Sequence, residues 1–421
     1  MLFVSVSNPN ELPFLPPHVD AVEWRLDLFP QPRITQLPPF PVVLTVRGSQ
    51  QEALIEELLA LEPPYFDLEQ YLSPSFLRRV LTSYPKTRFI LSYHNFQEVP
   101  DLEALCSQMS QYPAYTYKIA VTPRSTSEAL KALLFVKKHP SVSVICMGEL
   151  SSFARVLGRV VGNRVNYACL GEPVAPGQLS LGELVSIYRY PRLNCETALY
   201  GLIGDPVDQS RGHIYHNGVF EARGLNAVYL KMRVQEEELA EFLPLARELG
   251  FRGLSVTMPL KEKIIPSHPV NTLLFQGAQL LWTNTDGVGA LDAVERRGSV
   301  RGKRLLILGA GGAAKAIALE ATRRGAEVWI VNRTEEKGRA LAAAVGGFYG
   351  VPPIYATIIS CTSELLPVEL RQGVLAMDVV YVPRETPFLQ KARLAGAEVI
   401  YGEEMFLNQA AAQAHFWGMD I

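Results

Sequence analysis

The chain has 421 residues, enough for two or three domains at about 150 residues each. It carries 40 Lys and Arg against 42 Asp and Glu, and is 48% hydrophobic and 19% charged, which excludes a disordered chain and any bulk attraction to nucleic acid or an anionic membrane. Five cysteines (Cys106, Cys146, Cys169, Cys195, Cys361) without a C-x-x-C pair exclude a disulfide framework and a zinc ribbon, and fit a reducing compartment.

The opening MLFVSVSNPN lacks a basic n-region and soon turns polar, so no targeting segment is expected. No run of about 18 uncharged apolar residues occurs; the most apolar stretch, 305–321, is broken by Lys315 and a glycine cluster. The expectation is a cytoplasmic protein with neither a membrane nor a nucleic-acid partner.

Eight short β-rich runs come first: LFVSVS (2–7), AVEWRLDLF (21–29), PVVLTVR (41–47), PYFDLEQ (64–70), RFILSYH (88–94), TYKIAVTP (116–123), VSVICMGE (142–149) and NRVNYACL (163–170). Helix-like stretches alternate with them, among them QEALIEELLALE (51–62), PSFLRRVLTSY (74–84), SEALKALLFVKKH (127–139) and SFARVLGRVV (152–161). Alternation implies a parallel sheet, and eight units imply a closed (β/α)8 TIM barrel, with an open doubly wound sheet as the alternative. The segments after the first two runs are proline-rich (Pro9, Pro13, Pro16, Pro17; Pro30, Pro32, Pro38, Pro39) and read as loops. Glu23, Arg25, Arg47, Glu69, His94 and Lys118 fall at the carboxyl ends of the runs, the face where such folds place their chemistry.

YPRLNCET (190–197) separates this half from a second α/β region, and RRGSVRGKR (296–304) breaks that region again. The expected domains are therefore 1–192, a substrate-type domain over 198–300 and a nucleotide-binding domain over 301–395. A closing helix over 402–417 is expected to pack back on the middle domain.

Within the last domain, a strand at Arg304–Leu308 runs into G-x-G-x-x-A, then a helix, then a second strand at Glu327–Val331. This is a Rossmann β-α-β unit, whose turn lets backbone N–H groups approach a pyrophosphate at a helix N-terminus. Gly309, Ala310, Gly311, Gly312, Ala313 and Ala314 are the candidate contacts. NAD-specific sites place an acid after the second strand; here stand Asn332, Arg333, Thr334 and, a turn later, Lys337, which favour the 2′-phosphate of NADP(H).

With IGDPVDQS (203–210), HN (216–217), LSVTMPLK (254–261), VNT (270–272), NTDGVG (284–289), GAGGAAKA (309–316), NRTEEK (332–337) and YGEEMFLNQAAA (401–412), the second half resembles the shikimate dehydrogenases. The resemblance implies NADP-linked interconversion of 3-dehydroshikimate and shikimate. It also implies Lys261 and Asp286 at the reacting carbinol, and Ser210, Thr257, Asn271, Tyr381 and Gln409 as substrate contacts. A ketone receiving hydride needs a proton for the nascent alkoxide, which a lysine beside a carboxylate can relay. One departure is Ser210-Arg211-Gly212-His213, where the family usually has Ser-x-Ser-Pro.

With VEWRLDLF (22–29), VVLTVR (42–47), YFDLE (65–69), ILSYHNF (90–96), YKIAVTP (117–123) and APGQ (175–178), the first half resembles type I 3-dehydroquinate dehydratase. The resemblance implies a Schiff base at Lys118, His94 as acid/base, and Glu23, Arg25, Arg47, Arg155 and Gln178 as substrate contacts, with no metal. An iminium is an electron sink that acidifies the neighbouring C–H bond. Val174 stands where the family usually has a serine, and Gln51, with Glu52 beside it, stands where an acid usually orients the histidine. Together the halves imply a bifunctional shikimate-pathway enzyme. The alternatives are a quinate/shikimate-type dehydrogenase of other cofactor preference and a non-catalytic metabolite sensor.

Overall fold

A computed structural model describes residues 1–6, 15–28, 34–48, 51–265 and 268–419. Pro9, Pro13, Pro30 and Pro32, and the ends of the first two expected strands at 7 and 29, lie outside the described residues. The chain divides into two compact units, one of Met1–Leu199 with Phe220–Phe251, the other of Tyr200–Val219 with the chain from Arg252 onward.

The first unit opens with β1 (Leu2–Val6), β2 (Ala21–Arg25), β3 (Val42–Thr45), α1 (Glu52–Leu59), β4 (Tyr65–Glu69) and α2 (Pro74–Ser83). It continues with β5 (Arg88–His94), α3 (Leu102–Met109), β6 (Thr116–Val121), α4 (Thr126–Lys138), β7 (Val142–Cys146), α5 (Ser152–Val161), β8 (Asn166–Cys169) and α6 (Leu181–Ser186). All eight strands are parallel, in the order β7-β6-β5-β4-β3-β2-β1-β8. Phe3, Ala21, Val43, Tyr65, Ile90, Ala120, Ile145 and Tyr167, one from each strand, form a single buried cluster. A cluster drawing on every strand is the packed interior of a barrel, so the sheet is curled rather than open. The described parts of the segments after β1 and β2 contain no α-helix. Helix α3 went unread in the sequence. Asp101 caps it, its carboxylate accepting from Glu103 N and Ala104 N at 3.0 Å.

Side chains stitch the seam where β7 and β8 end the sheet. Asn163 accepts from Val144 N at 3.0 Å, and its amide nitrogen donates to Val144 O at 2.9 Å and to Asn166 Oδ1 at 3.1 Å. Val165 N donates to Ser143 Oγ at 3.1 Å. Asn163→Ala strips buried strand groups of partners and is expected to destabilise this unit by about 2–3 kcal/mol, read as a lower midpoint in urea. A midpoint unchanged from wild type would mean the seam is held otherwise.

Beyond the barrel come β9 (Ala198–Gly204), α7 (Gly212–Ala222), β10 (Ala227–Arg233) and α8 (Leu239–Leu249). Helix α8 lies along α4: Ser127 N and Oγ donate to Glu238 Oε2 at 2.9 and 3.0 Å, and Lys131 pairs with Glu241.

In the second unit, β11 (Phe251–Val256), β12 (Thr272–Gln276) and β13 (Gln279–Thr283) pair antiparallel, and α9 (Asp286–Glu295) follows. Next come β14 (Arg304–Leu308), α10 (Gly312–Arg323), β15 (Glu327–Val331), α11 (Glu335–Ala344), β16 (Phe348–Tyr349) and β17 (Thr357–Ser360). The chain then runs through β18 (Leu375–Asp378), α12 (Pro387–Leu394), β19 (Glu398–Ile400) and α13 (Gly402–Phe416). The six parallel strands are ordered β16-β15-β14-β17-β18-β19, so strand order reverses at β14 and opens a crevice at its carboxyl end. Helix α13 returns to the antiparallel strands: Ser255 Oγ donates to Gln413 Oε1 at 2.8 Å, and Trp417 Nε1 donates to Leu273 O at 2.9 Å. Among the described residues, no helix is long and apolar enough to cross a membrane.

Candidate active sites

In the barrel, strand register decides which charges meet. Glu69, Ser92 and Lys118 stand abreast on β4, β5 and β6. A cavity of about 660 Å³ opens over them, and Glu23, Arg25, Arg47, His94, Lys118, Arg155 and Gln178 all line it. Every dehydratase-type residue read from the sequence thus faces one space.

Lys118 is only 5% exposed. Its Nζ donates to Asp67 Oδ2 at 2.9 Å, lies 3.8 Å from Glu23 Oε1 and sits 4.2 Å from the ring centroid of Tyr167. Asp67 also accepts from Arg47 Nη1 at 2.8 Å and from Ser92 Oγ at 2.5 Å. Burial alone would raise the Asp67 carboxyl, but Arg47 and Lys118 outweigh it and hold the group well below the usual range. Asp67 therefore stays ionised and fixes the lysine as a hydrogen-bond acceptor. Glu23 is buried and held by Ser5 Oγ at 2.5 Å and Thr45 Oγ1 at 3.0 Å.

His94 ends β5. Burial lowers its pKa, and the charge of Arg47 lowers it further, against the raising effect of its hydrogen bond to the Glu69 carboxylate. The imidazole is thus neutral near pH 7 and fit to take a proton. Arg155, from α5, has its pKa lowered to about 10 by burial, and its Nε has no hydrogen-bond partner among the described residues. A buried guanidinium with free donors suits a substrate carboxylate. Gln178 Oε1 accepts from Val174 N at 3.0 Å, so the backbone of Val174 shapes this loop although its side chain cannot donate. Gly177 has φ +71, and a Cβ there would lie 2.1 Å from Gly148 O, so only glycine lets the APGQ loop close down. Arg25 is turned into a bidentate pair with Asp27, at 2.9 and 2.7 Å.

The second unit holds another constellation. Lys261 pairs with Asp286 Oδ2, and Asn271 Nδ2 donates to Asp286 Oδ1 at 2.9 Å. Asn271 Oδ1 accepts from Thr285 N at 2.9 Å, and Gln409 Oε1 lies 3.5 Å from Asn271 Nδ2. Thr285 was not singled out in the sequence, although it sits inside NTDG. Ser210 Oγ accepts from Gly212 N at 3.2 Å, and Tyr381 Oη accepts from Arg211 N at 3.4 Å, so the segment lacking a second serine is anchored by its backbone. Thr257 packs so close to Gly204 that a Cβ there would lie 2.4 Å from Thr257 Cγ2.

A cavity of about 730 Å³ adjoins the carboxyl end of β14, lined by Ala310, Gly311, Asn332, Arg333, Thr334 and Lys337, together with Lys315 and Glu262, which pair at 2.5 Å. A Cβ on Gly312 would lie 3.4 Å from Lys261 Cβ, which brings the glycine turn up to the Lys261–Asp286 pair. Gly309 is buried at φ +114, and Ala313 is half-buried in the first turn of α10. Ala314 is fully buried in the core cluster with Leu305 and Ile317, a packing position of the motif. The turn and its cations fit a dinucleotide with a 2′-phosphate. Arg333 meets Glu364, which the sequence did not suggest.

Comparison with known proteins accounts for both halves. Family models match as Type I 3-dehydroquinase over residues 10–194, Shikimate dehydrogenase substrate binding domain over 202–270 and Shikimate / quinate 5-dehydrogenase over 292–356. The Shikimate biosynthesis protein AroDE of Chlamydia pneumoniae is 36% identical over 435 residues, covering 96% of this chain and 91% of that one. The chloroplastic bifunctional 3-dehydroquinate dehydratase/shikimate dehydrogenase of Arabidopsis thaliana is 29% identical over 465 residues, covering 94% and 77%. A solved shikimate dehydrogenase in complex with NADP+ shares 33% identity with a TM-score of 0.51, covering 54% of this chain and 92% of its own.

Proposed function

The chain belongs to the family of enzymes that join a type I 3-dehydroquinase to a shikimate dehydrogenase, and from that premise we propose how its residues divide the work. It is a bifunctional enzyme of the shikimate pathway, a lyase and an NADP-dependent oxidoreductase in one chain. Its partners are the small molecules 3-dehydroquinate, 3-dehydroshikimate and shikimate. The observation that carries the assignment of roles is the pair of proton-transfer sets: buried Lys118 in one cavity with His94, and Lys261 against Asp286.

In the barrel, the amine of Lys118 adds to the substrate ketone and water leaves, giving an iminium. His94 takes the proton from the adjacent carbon, and the electron pair flows into the iminium to give an enamine. The enamine expels the β-hydroxyl, which His94 protonates as it departs as water, and hydrolysis of the iminium frees product and lysine. Arg47 and Arg155 bracket the substrate carboxylate, and Glu23, Arg25 and Gln178 hold its polar groups.

In the second unit, bound NADPH supplies the hydride. Lys261 hydrogen-bonds the ketone oxygen and gives it a proton, while Asp286, gripped by Asn271, holds the lysine in place. Ser210, Thr257, Asn271, Tyr381 and Gln409 orient the ring hydroxyls and carboxylate. Gly309, Ala310, Gly311, Gly312 and Ala313 hold the pyrophosphate, Ala314 packs the turn, and Asn332, Arg333, Thr334 and Lys337 take the adenosine end.

Incubation with 3-dehydroquinate and NADPH tests both roles together. Enone absorbance is expected to rise and then fall as NADPH is consumed; NADPH loss from added 3-dehydroshikimate alone would remove the dehydratase. Arg333→Ala is expected to raise the KM for NADPH about tenfold, the worth of one charge-assisted hydrogen bond. The KM for NADH is expected to stay unchanged. Equal use of both cofactors by the wild type would refute the 2′-phosphate assignment.

A further inference from the structure

The carboxylate that supports His94 is not where the barrel's sequence resemblance points. Gln51 stands at the N-terminus of α1, and Glu52 beside it is engaged elsewhere: its Oε1 accepts from Ser73 Oγ at 2.7 Å and from Ser73 N at 3.2 Å. Glu69, at the carboxyl end of β4, lies next to β5 and reaches the histidine instead. His94 Nδ1 is 3.1 Å from Glu69 Oε1 and 3.3 Å from Oε2. Glu69 is buried, so its contact is little weakened by solvent.

We infer that Glu69 is the positioning residue of His94, its carboxylate accepting the Nδ1 proton so that the Nε2 lone pair is left for the substrate. The other ring nitrogen of a histidine base sets which tautomer is present, and a fixed acceptor at Nδ1 selects the one with a basic Nε2. The ring of Phe96 lies nearly parallel to the imidazole, with centroids 6.3 Å apart and 19° between the planes. Glu69 also binds Arg47, a candidate for the substrate carboxylate, so one side chain links substrate capture to the base.

The charged groups facing His94 are Arg47 on the β3 end, Asp67 and Glu69 on β4, and Lys118 on β6. Arg47 and Lys118 disfavour the imidazolium and Glu69 favours it. Removing the charge of Glu69 therefore lowers the pKa of His94, and the acid limb of the pH profile moves to lower pH.

The inference rests on His94 being the dehydratase base, and the test separates the two. Full-length Glu69→Gln, Glu69→Asp, Gln51→Ala and His94→Ala are assayed with 3-dehydroquinate for kcat, KM, pH profile and borohydride trapping. Glu69→Gln is expected to lose about 10–100-fold in kcat, within the range of a weakened acid–base step. It should keep trapping and show an acid limb displaced to lower pH. Glu69→Asp is expected to restore the limb and part of kcat, and Gln51→Ala to match the wild type. If His94→Ala is slow while Glu69→Gln keeps the wild-type kcat and acid limb, the inference is overturned and the function stands. If His94→Ala dehydrates at the wild-type rate, the base assignment itself falls.

Discussion

Lys118→Ala is expected to reduce dehydration of 3-dehydroquinate to background while shikimate oxidation proceeds nearly unchanged. The substitution removes the only group proposed to form the covalent intermediate, and no acid–base adjustment replaces an electron sink. The fold is expected to survive, because Asp67 keeps Arg47 at 2.8 and 3.1 Å and Ser92 at 2.5 Å after the lysine is gone. Borohydride in the presence of substrate or product should convert the iminium of the wild type into a stable amine, with the added mass on the peptide containing YKIAVTP. In the Lys118 variant that label should vanish. His94→Ala separates base from nucleophile: it should keep the label and lose roughly 10²–10⁴-fold in rate, the usual size of a general acid–base contribution. Labelling on another lysine, or undiminished dehydration without Lys118, would refute the Schiff-base assignment and leave the second unit untouched.

Much of the architecture was legible because alternation carries strong physical signals. Arg304–Leu308 and Glu327–Val331 are strands where the β-α-β pattern put them, since a glycine turn between an apolar run and a helix has few other solutions. The barrel strands were recognisable as runs buried on both faces, as in VVLT and YFDLE. Helix Leu102–Met109 was not, because its eight residues carry a weak apolar stripe and its main signal is a single capping aspartate.

The sites were legible to the depth that one strand end allows. His94 ends β5, whereas Lys118 lies within β6 rather than at its carboxyl end; both interrupt apolar runs, where burial without use is costly. What could not be read is which carboxylate meets which cation, because that depends on register between strands distant in sequence. Asp67 and Glu69 lie two residues apart and so share a face of β4, yet only the pairing of β3, β4, β5 and β6 gives one to Lys118 and the other to His94. The family resemblance points to Gln51, with Glu52 beside it, because it compares positions along the chain, while the histidine meets whatever its neighbouring strand presents.

The second large effect is expected at Lys261. In the ketone-reducing direction, charge develops on the substrate oxygen only as hydride arrives, so a lysine that meets that charge acts in the transition state. Lys261→Ala should therefore lower kcat for 3-dehydroshikimate reduction by roughly 10²–10⁴-fold with little change in KM, and leave dehydration intact. Asp286→Asn keeps the volume and the contact with Asn271 but removes the charge opposite the ammonium. Because lysine and aspartate act as one unit, the double variant should be hardly slower than the worse single variant. Fully multiplicative losses would mean that each residue reaches the substrate independently. A rise in KM at constant kcat for Lys261→Ala would assign the lysine to binding, and the proton would then have to come from another group in the same pocket.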